Sequence, residues 1–188
     1  MPTYIIYKPF GMLSQFTKEL EHHVTLADLD FNFAKDVYPV GRLDADSEGL
    51  LLLTNDKSLN QKILNPKFKQ PKTYWAQVEG QPSLEELSPL QSGVKIKVKG
   101  KFFSTSPAKV RLLNNVDLPD RNPPIRFRKN SPTAWVEIVL IEGKNRQVRK
   151  MFASIGFPVL RLVRVGLVGF NLFENELKGL KGGEVREV

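Results

Sequence analysis

The chain has 188 residues, enough for one domain with a full hydrophobic core, and its 41% hydrophobic and 26% charged residues exclude an intrinsically disordered protein. The absence of cysteine excludes disulfides, iron–sulfur clusters and thiolate zinc sites, and no apolar run is long enough for a transmembrane helix. The net charge of +8 favours a polyanionic partner such as RNA or DNA, and with no apolar leader before Tyr4 we expect a cytoplasmic protein.

The first third of the chain predicts three short strands and one helix. Residues 4–7 and 37–40 have strand composition, and the four consecutive leucines at 50–53 are typical of a strand buried on both faces. Asp56 or Ser58 caps a helix that continues through Leu64 and ends at Asn65-Pro66. A charged loop therefore lies between the second and third strands.

The middle third predicts a β-rich lobe with one helix. Residues 72–78 are rich in aromatic and β-branched residues and predict a strand. A capping box beginning at Ser83 opens a helix that Gly93 closes. Strict alternation of lysine with apolar residues at 95–98 and the β pattern at 108–113 predict two further strands.

The last third begins with a long basic loop at 114–132, a length typical of functional loops. Strands are predicted at 135–141 and 159–167, with a helix between them that Gly156 ends. The apolar face of that helix consists of Val148, Met151, Phe152 and Ile155, and its basic side of Arg146, Arg149 and Lys150. Strand runs with isolated helices indicate an α+β fold with a mixed or mainly antiparallel sheet.

Three carboxylates, Asp44, Asp46 and Glu48, lie in the charged loop, and they allow four interpretations. The spacing with Gly49 resembles a calcium loop, but Asn55 stands where such a loop needs a bidentate glutamate. A two-metal nuclease would need carboxylates from elsewhere in the chain. The remaining interpretations are a solvated acidic turn and a catalytic carboxylate.

Four ordered motifs resemble those of pseudouridine synthases of the RsuA family. Residues 41–56, Gly-Arg-Leu-Asp-Ala-Asp-Ser-Glu-Gly-Leu-Leu-Leu-Leu-Thr-Asn-Asp, are similar to the family signature. Residues 7–11 (Tyr-Lys-Pro-Phe-Gly), 72–74 (Lys-Thr-Tyr) and 142–151 (Glu-Gly-Lys-Asn-Arg-Gln-Val-Arg-Lys-Met) are similar to the other motifs. Because the motifs span most of the chain, the resemblance is more specific than any one pattern.

The resemblance implies an α+β catalytic domain with a central mixed, mainly antiparallel sheet, flanking helices and loops, and a basic cleft. Many relatives carry an N-terminal S4-type RNA-binding domain, which we do not expect here, so that residues 1–188 form a single catalytic domain of two sublobes sharing a sheet. Residues 121–126 and 183–188 resemble members that act on 23S ribosomal RNA. We therefore expect this RNA as the partner, no membrane, no obligatory protein partner, no metal or cofactor, and a monomer.

The resemblance also implies roles for three residues. The aspartate of Gly-Arg-Leu-Asp, here Asp44, is the family's catalytic residue, a nucleophile at the sugar C1′ or at uracil C6. Arg149 matches the basic residue that pairs with it, since an unpaired buried carboxylate would protonate. Tyr74 matches the tyrosine that packs on the everted base and helps remove the proton from C5.

Basic residues near these motifs are predicted to bind RNA phosphates. Arg42 precedes Asp44 by two residues and faces the same side of an extended chain. The full predicted set is Lys8, Arg42, Lys72, Arg126, Lys144, Arg146, Lys150 and Arg164. Asp46 and Glu48 are interpreted as structural acceptors in the turn. The alternatives are a non-catalytic RNA-binding or ribosome-assembly factor and a metal-dependent nuclease.

Overall fold

The structure is a computed structural model that describes residues 1–125 and 131–188. The helices are α1 (Lys57–Leu64), α2 (Leu84–Ser92) and α3 (Gln147–Ser154). The strands are β1 (Thr3–Lys8), β2 (Tyr38–Pro39), β3 (Glu48–Thr54), β4 (Lys72–Glu79), β5 (Lys95–Val98), β6 (Lys101–Ser104), β7 (Lys109–Leu113), β8 (Thr133–Leu140), β9 (Val159–Leu167), β10 (Phe170–Asn171) and β11 (Val185–Glu187).

Nine of these strands form one sheet, in the order β11-β1-β3-β9-β4-β8-β7, with β2 paired to β3 and β10 paired to β9. Among the described strands, β3 and β9 pair in parallel and the other pairs are antiparallel. The strands β5 and β6 form a separate two-stranded sheet. The predicted α+β fold with a mixed, mainly antiparallel sheet is confirmed.

The leucines of β3 are buried on both faces of the sheet, as their uninterrupted run predicts. Leu50 and Leu52 belong to a cluster that includes Ile63 of α1, whereas Leu51 and Leu53 pack on the other face. All four side chains are fully buried. The strand that follows the charged loop is therefore held rigidly in the centre of the molecule.

Gly49 permits the parallel contact between β3 and β9. It lies opposite Arg164 in the register and has a φ of 99°, a conformation that glycine adopts without strain. A Cβ at this position would overlap the carbonyl oxygen of Arg164. Glycine at position 49 thus lets the start of β3 lie directly beside β9.

Helices α1 and α2 begin where their capping residues predict, whereas α3 begins after Arg146 without a side-chain cap. Asp56 accepts hydrogen bonds from the backbone N–H groups of Ser58 and Leu59 at the start of α1. Ser83 and Glu86 form the predicted capping box of α2. Val148, Met151 and Phe152 of α3 are buried in a cluster with α2 and the β4–β8 side of the sheet, as the apolar face of this helix predicts.

Three described strands, β6, β10 and β11, are absent from the sequence prediction. Every residue of β6 is exposed, so its burial pattern does not alternate. Strand β11 is three residues long and pairs with β1 from the far end of the chain.

Residues 114–125, the described part of the predicted basic loop, contain no helix or strand. No helix among the described residues is long and apolar enough to cross a membrane.

Candidate active site

A cavity of about 590 Å³ lies between the loop before β3, strand β4, the segment that leads into α3, and β9. This volume is within the usual range of ligand pockets. Asp44 and Tyr74 line it. Five cationic residues also line it: Arg42, Lys72, Lys144, Arg146 and Arg164. Glu142 is the second acidic residue of the described lining, after Asp44. The cavity therefore brings together residues from three of the four sequence motifs.

The loop that carries Asp44, residues 41–47, is held through its backbone at successive residues. Ser14 donates its hydroxyl to the Leu43 carbonyl at 3.0 Å and accepts the Leu43 N–H at 3.1 Å. The Ala45 carbonyl accepts the Gly11 N–H at 2.7 Å, and the Asp46 carbonyl accepts a guanidinium N–H of Arg149 at 2.7 Å. Because both neighbours of Asp44 are anchored, its carboxylate is presented to the cavity from a fixed backbone.

Asp46 forms the main ion pairs of this loop. Arg146 donates two hydrogen bonds to its carboxylate, at 2.9 and 2.7 Å, and Arg149 Nε lies 3.4 Å from Oδ2. Burial raises the pKa of Asp46, but the hydrogen bond from Arg146 and the charges of both arginines outweigh burial and hold it below its usual value. The paired carboxylate ties the loop to the start of α3.

The pairing of Asp44 differs from the one that the sequence predicts. The guanidinium near its carboxylate is that of Arg146, with Nη1 3.9 Å from Oδ2, whereas Arg149 is bound to Asp46 and to the Val159 carbonyl. Arg149 lies one helical turn further into the structure, and its side chain is 14% exposed. Asp46, which we interpreted as a turn acceptor, therefore takes the contact predicted for Asp44.

Arg146 adopts an unusual backbone conformation where α3 begins. Its φ of 52° and ψ of 34° place it in the left-handed region, which residues other than glycine rarely enter. Such strain persists where surrounding contacts hold a residue in place, and the double hydrogen bond to Asp46 supplies them here. The conformation brings the guanidinium of Arg146 to the cavity.

Lys8 is a correction to the predicted RNA contacts. Its side chain is fully buried, and its ammonium donates to the carbonyls of Pro9 at 3.0 Å, Met12 at 2.7 Å and Ala45 at 3.4 Å. Burial lowers its pKa to about 8, although the carboxylates of Glu48, Asp46 and Asp44 act in the opposite direction. The buried Lys8 ammonium cannot reach an RNA phosphate. It instead holds the Asp44 loop through its hydrogen bond to the Ala45 carbonyl.

We expect the free energy of unfolding to rise with pH above about 8 because of Lys8. Between the folded pKa of about 8 and the ordinary value of 10.5, the unfolded chain binds a proton that the folded chain has released. Raising the pH therefore favours the folded state, by about 2 kcal/mol over roughly two pH units.

Urea unfolding of the wild type and of Lys8→Met at pH about 8 and about 10 measures this contribution. Since the other titrating groups are common to both proteins, the wild type should gain stability relative to the variant as the pH rises. Parallel changes in the two proteins would show that Lys8 has an ordinary pKa.

Arg164 is another buried cation at the cavity. Its residue is 3% exposed, its Nε donates to the Leu50 carbonyl at 2.8 Å, and its Nη2 has no hydrogen-bond partner in the part of the chain that the structure describes. An unpaired buried donor is costly and common at functional sites. Arg164 lines the cavity, but its Nη2 is itself buried, so a ligand oxygen reaches this atom only when the side chain shifts.

Of the remaining predicted residues, Tyr74 and Lys72 line the cavity. Tyr74 is half-buried and packs against two core clusters, and the Lys72 ammonium donates to the Gln70 carbonyl. Burial and the charge of Arg164 lower the pKa of Lys72. Lys150 donates to the Asn145 carbonyl and does not line the cavity, and Arg126 lies outside the described residues.

Sequence reasoning missed the partner of Glu48. Arg161 donates to its carboxylate at 2.9 and 2.7 Å, and the two side chains are 9% and 3% exposed. Burial lowers the pKa of Arg161, but the hydrogen bond and charge of Glu48 outweigh burial and raise it. An arginine within an apolar strand is the sequence signal for such a pair, since buried charges in proteins are paired.

The family model of RNA pseudouridylate synthase matches residues 2–154. The chain belongs to this family. The matched segment contains Asp44, Tyr74 and Arg149, and the segment that follows supplies the whole of β9 and its Arg164. Family membership confirms the resemblance that the four motifs indicate.

Relatives similar over most of their length include two proteins named ribosomal large subunit pseudouridine synthase E. The protein from Vibrio vulnificus is 50% identical over 184 residues, which is 98% of this chain and 74% of that protein. The protein from Xanthomonas axonopodis pv. citri is 48% identical over 170 residues, 89% of this chain and 86% of that protein. A crystal structure of a pseudouridylate synthase superposes with a TM-score of 0.76 at 26% identity, covering 100% of this chain and 70% of that one.

Proposed function

We propose that the protein converts one uridine of 23S ribosomal RNA into pseudouridine. The proposal is supported by family membership and by the names of the relatives, which are large-subunit enzymes. We further propose that residues 1–188 act as one catalytic unit in the cytoplasm, as a monomer, without an obligatory protein partner, metal or cofactor. The observation that carries the proposal is the anchored Asp44 carboxylate in a cavity with an aromatic ring and five cations.

The reaction rearranges bonds within one nucleotide. The glycosidic bond between uracil N1 and the ribose C1′ breaks, the base turns, and C5 bonds to C1′. N1 gains a proton and C5 loses one, so the nucleotide's composition is unchanged and no oxidant is needed. Asp44 acts as the nucleophile, at C1′ or at uracil C6, and leaves again when the C–C bond has formed.

The surrounding charges have separate roles in this proposal. Arg146 stabilises the carboxylate of Asp44 directly, because its guanidinium is 3.9 Å away and partly exposed to the cavity. Arg149 acts as a positioning residue, since it binds the Asp46 carbonyl and side chain and so fixes the loop. Charge stabilisation by fixed donors is a major source of catalysis in sites that exclude water.

Tyr74 and the lining cations bind the everted nucleotide. The tyrosine ring replaces the stacking that uracil loses when it leaves the RNA helix, and the tyrosine helps remove the C5 proton. Arg164, as a buried cation in the cavity lining, acts on the uracil instead of the phosphate that the sequence predicts. The proposed phosphate contacts remain Arg42, Lys72, Lys144, Arg146 and Lys150, and Arg126 stays a prediction from the sequence.

Mapping of pseudouridines in ribosomal RNA tests this function. Unmodified 23S RNA incubated with the purified protein should gain pseudouridine at one position, and cells that lack the protein should lose it at that position. The 16S RNA serves as the matched control and should be unchanged. If the protein binds 23S RNA and no position changes, the non-catalytic alternative holds.

A further inference from the structure

The hairpin formed by β5 and β6, residues 95–104, is strongly basic and is not part of the cavity. It contains Lys95, Lys97, Lys99 and Lys101 and no acidic residue, and all four lysines are exposed. Both of its phenylalanines, Phe102 and Phe103, are also exposed. Exposed aromatic rings among cations on a small sheet are unusual on a surface that faces only water.

The two faces of the hairpin differ in character. Ile96 and Val98 point inward and are buried in the cluster that contains α2 and α3. The register places Lys97 opposite Phe102, so both lie on the outer face, where the Lys97 ammonium is 5.8 Å from the centre of the Phe102 ring. Phe102 is 66% exposed. The outer face therefore presents a largely uncovered ring beside positive charge.

The hairpin also adjoins the cavity. Strand β5 packs against α3, the helix whose first residues supply contacts to the Asp44 loop. Phe103 lies 5.5 Å from the ammonium of Lys144, which lines the cavity. A strand of RNA whose target nucleotide enters the cavity would thus pass within reach of the hairpin.

We propose that the outer face of this hairpin binds an unpaired nucleotide of the substrate RNA next to the target uridine. Phe102 stacks on its base, while Lys95 and Lys97 contact the adjoining phosphates. The inference rests on the proposed function, since it takes the cavity as the site of the target base. A base-paired helix hides the faces of its bases, so the occupant is a single-stranded or loop segment.

Charge argues against a second copy of this chain as the occupant. Two hairpins packed face to face would bring eight lysines together without an acidic residue between them. The phosphates of RNA supply the opposite charge instead, and release of their counterions favours binding.

The stacking contact is tested with Phe102→Ala on a 23S RNA fragment in which the target uridine lies in a loop. We expect kcat/KM to fall about tenfold, mainly through KM, because stacking of one base is lost. Phe102→Trp should restore wild-type kinetics. Leu20→Ala is the matched control, since Leu20 is 54% exposed and outside the hairpin and the cavity.

The phosphate contacts are tested through the salt dependence of RNA binding. The double variant Lys95→Ala, Lys97→Ala should lower the slope of log affinity against log salt by about 1.4, as expected for two lost contacts to a single strand. Lys35→Ala, at an exposed position outside the hairpin and the cavity lining, should leave the slope unchanged.

These outcomes separate the hairpin from the proposed function. If the wild type forms pseudouridine and Phe102→Ala has wild-type KM and RNA affinity, the hairpin proposal is overturned and the enzyme stands. If the wild type binds RNA without forming pseudouridine, the proposed function fails. The RNA affinities of the wild type and the hairpin variants still show whether the hairpin binds RNA. A Phe102→Ala variant that changes the sedimentation coefficient but not RNA affinity would identify the face as a protein interface and overturn the proposal.

Discussion

Asp44→Asn is expected to abolish pseudouridine formation while RNA binding is retained. Because the nucleophile is lost, kcat should fall by at least about 10⁴-fold. Asparagine has nearly the same shape, and the Asp44 side chain is 37% exposed, so the fold should not suffer. The backbone anchors of the loop come from Leu43, Ala45 and Asp46, and the substitution leaves them in place.

The measurement compares turnover and RNA affinity in the same preparations. Asp36→Asn is the matched control, because Asp36 is exposed, lies outside the cavity, and has a φ of 63° that asparagine adopts readily. Its turnover should equal that of the wild type. Turnover by Asp44→Asn within tenfold of the wild type would remove Asp44 from the mechanism.

Glu48→Gln is expected to destabilise the protein by about 3–5 kcal/mol. The substitution leaves the buried guanidinium of Arg161 without a negatively charged partner. Among the described residues, the Pro119 carbonyl, at 2.7 Å, is then its main hydrogen-bond acceptor. For a chain of this size the loss corresponds to a fall in Tm of about 10 °C. Catalysis in the folded fraction should be affected less than stability, since Glu48 does not line the cavity.

Urea and thermal unfolding measure this effect against an exposed ion pair. Arg111→Gln removes the contact with Glu137, in which the arginine side chain is 64% exposed, and should cost less than about 1 kcal/mol. Equal losses in the two variants would show that the Glu48–Arg161 pair is solvated and contributes little.

Local elements of the fold follow from the sequence because their causes are local. The leucine run of β3, the Asp56 cap of α1 and the capping box of α2 each depend on residues within one or two turns of chain. The strand β6 could not be found in this way, because all four of its residues are exposed and it exists through pairing with β5.

The sequence predicts which residues belong to the candidate site, but it does not predict which of them form ion pairs with one another. The motifs identify Asp44, Tyr74 and Arg149 as catalytic and Arg146 as an RNA contact. The fold brings Asp44, Tyr74 and Arg146 to one cavity, whereas Arg149 does not line it. The contact between Arg149 and Asp46 joins residues 103 positions apart, and the pair of Arg161 with Glu48 joins residues 113 positions apart. Such contacts depend on how β9 and α3 are placed against β3, which no local pattern specifies.

The burial of Lys8 could not be predicted from the sequence either. Its neighbours in sequence, Tyr7 and Pro9, predict the end of a strand at the surface, where a lysine is ordinarily exposed. Its burial follows from the Asp44 loop and residue Met12, whose carbonyls surround the ammonium. A sequence motif can therefore mark a residue as an RNA contact although the fold buries it and binds it to other parts of the chain.

Release of tritium from C5-labelled uridine tests the central claim most directly. Formation of the bond between C5 and C1′ expels the C5 hydrogen, so each pseudouridine formed must release one C5 tritium to water. With a 23S RNA fragment labelled at C5 of its uridines, the wild type should release tritium equal to the pseudouridine found at one position, and Asp44→Asn should release none. Undiminished release by Asp44→Asn, or RNA binding by the wild type without any release, would contradict the account.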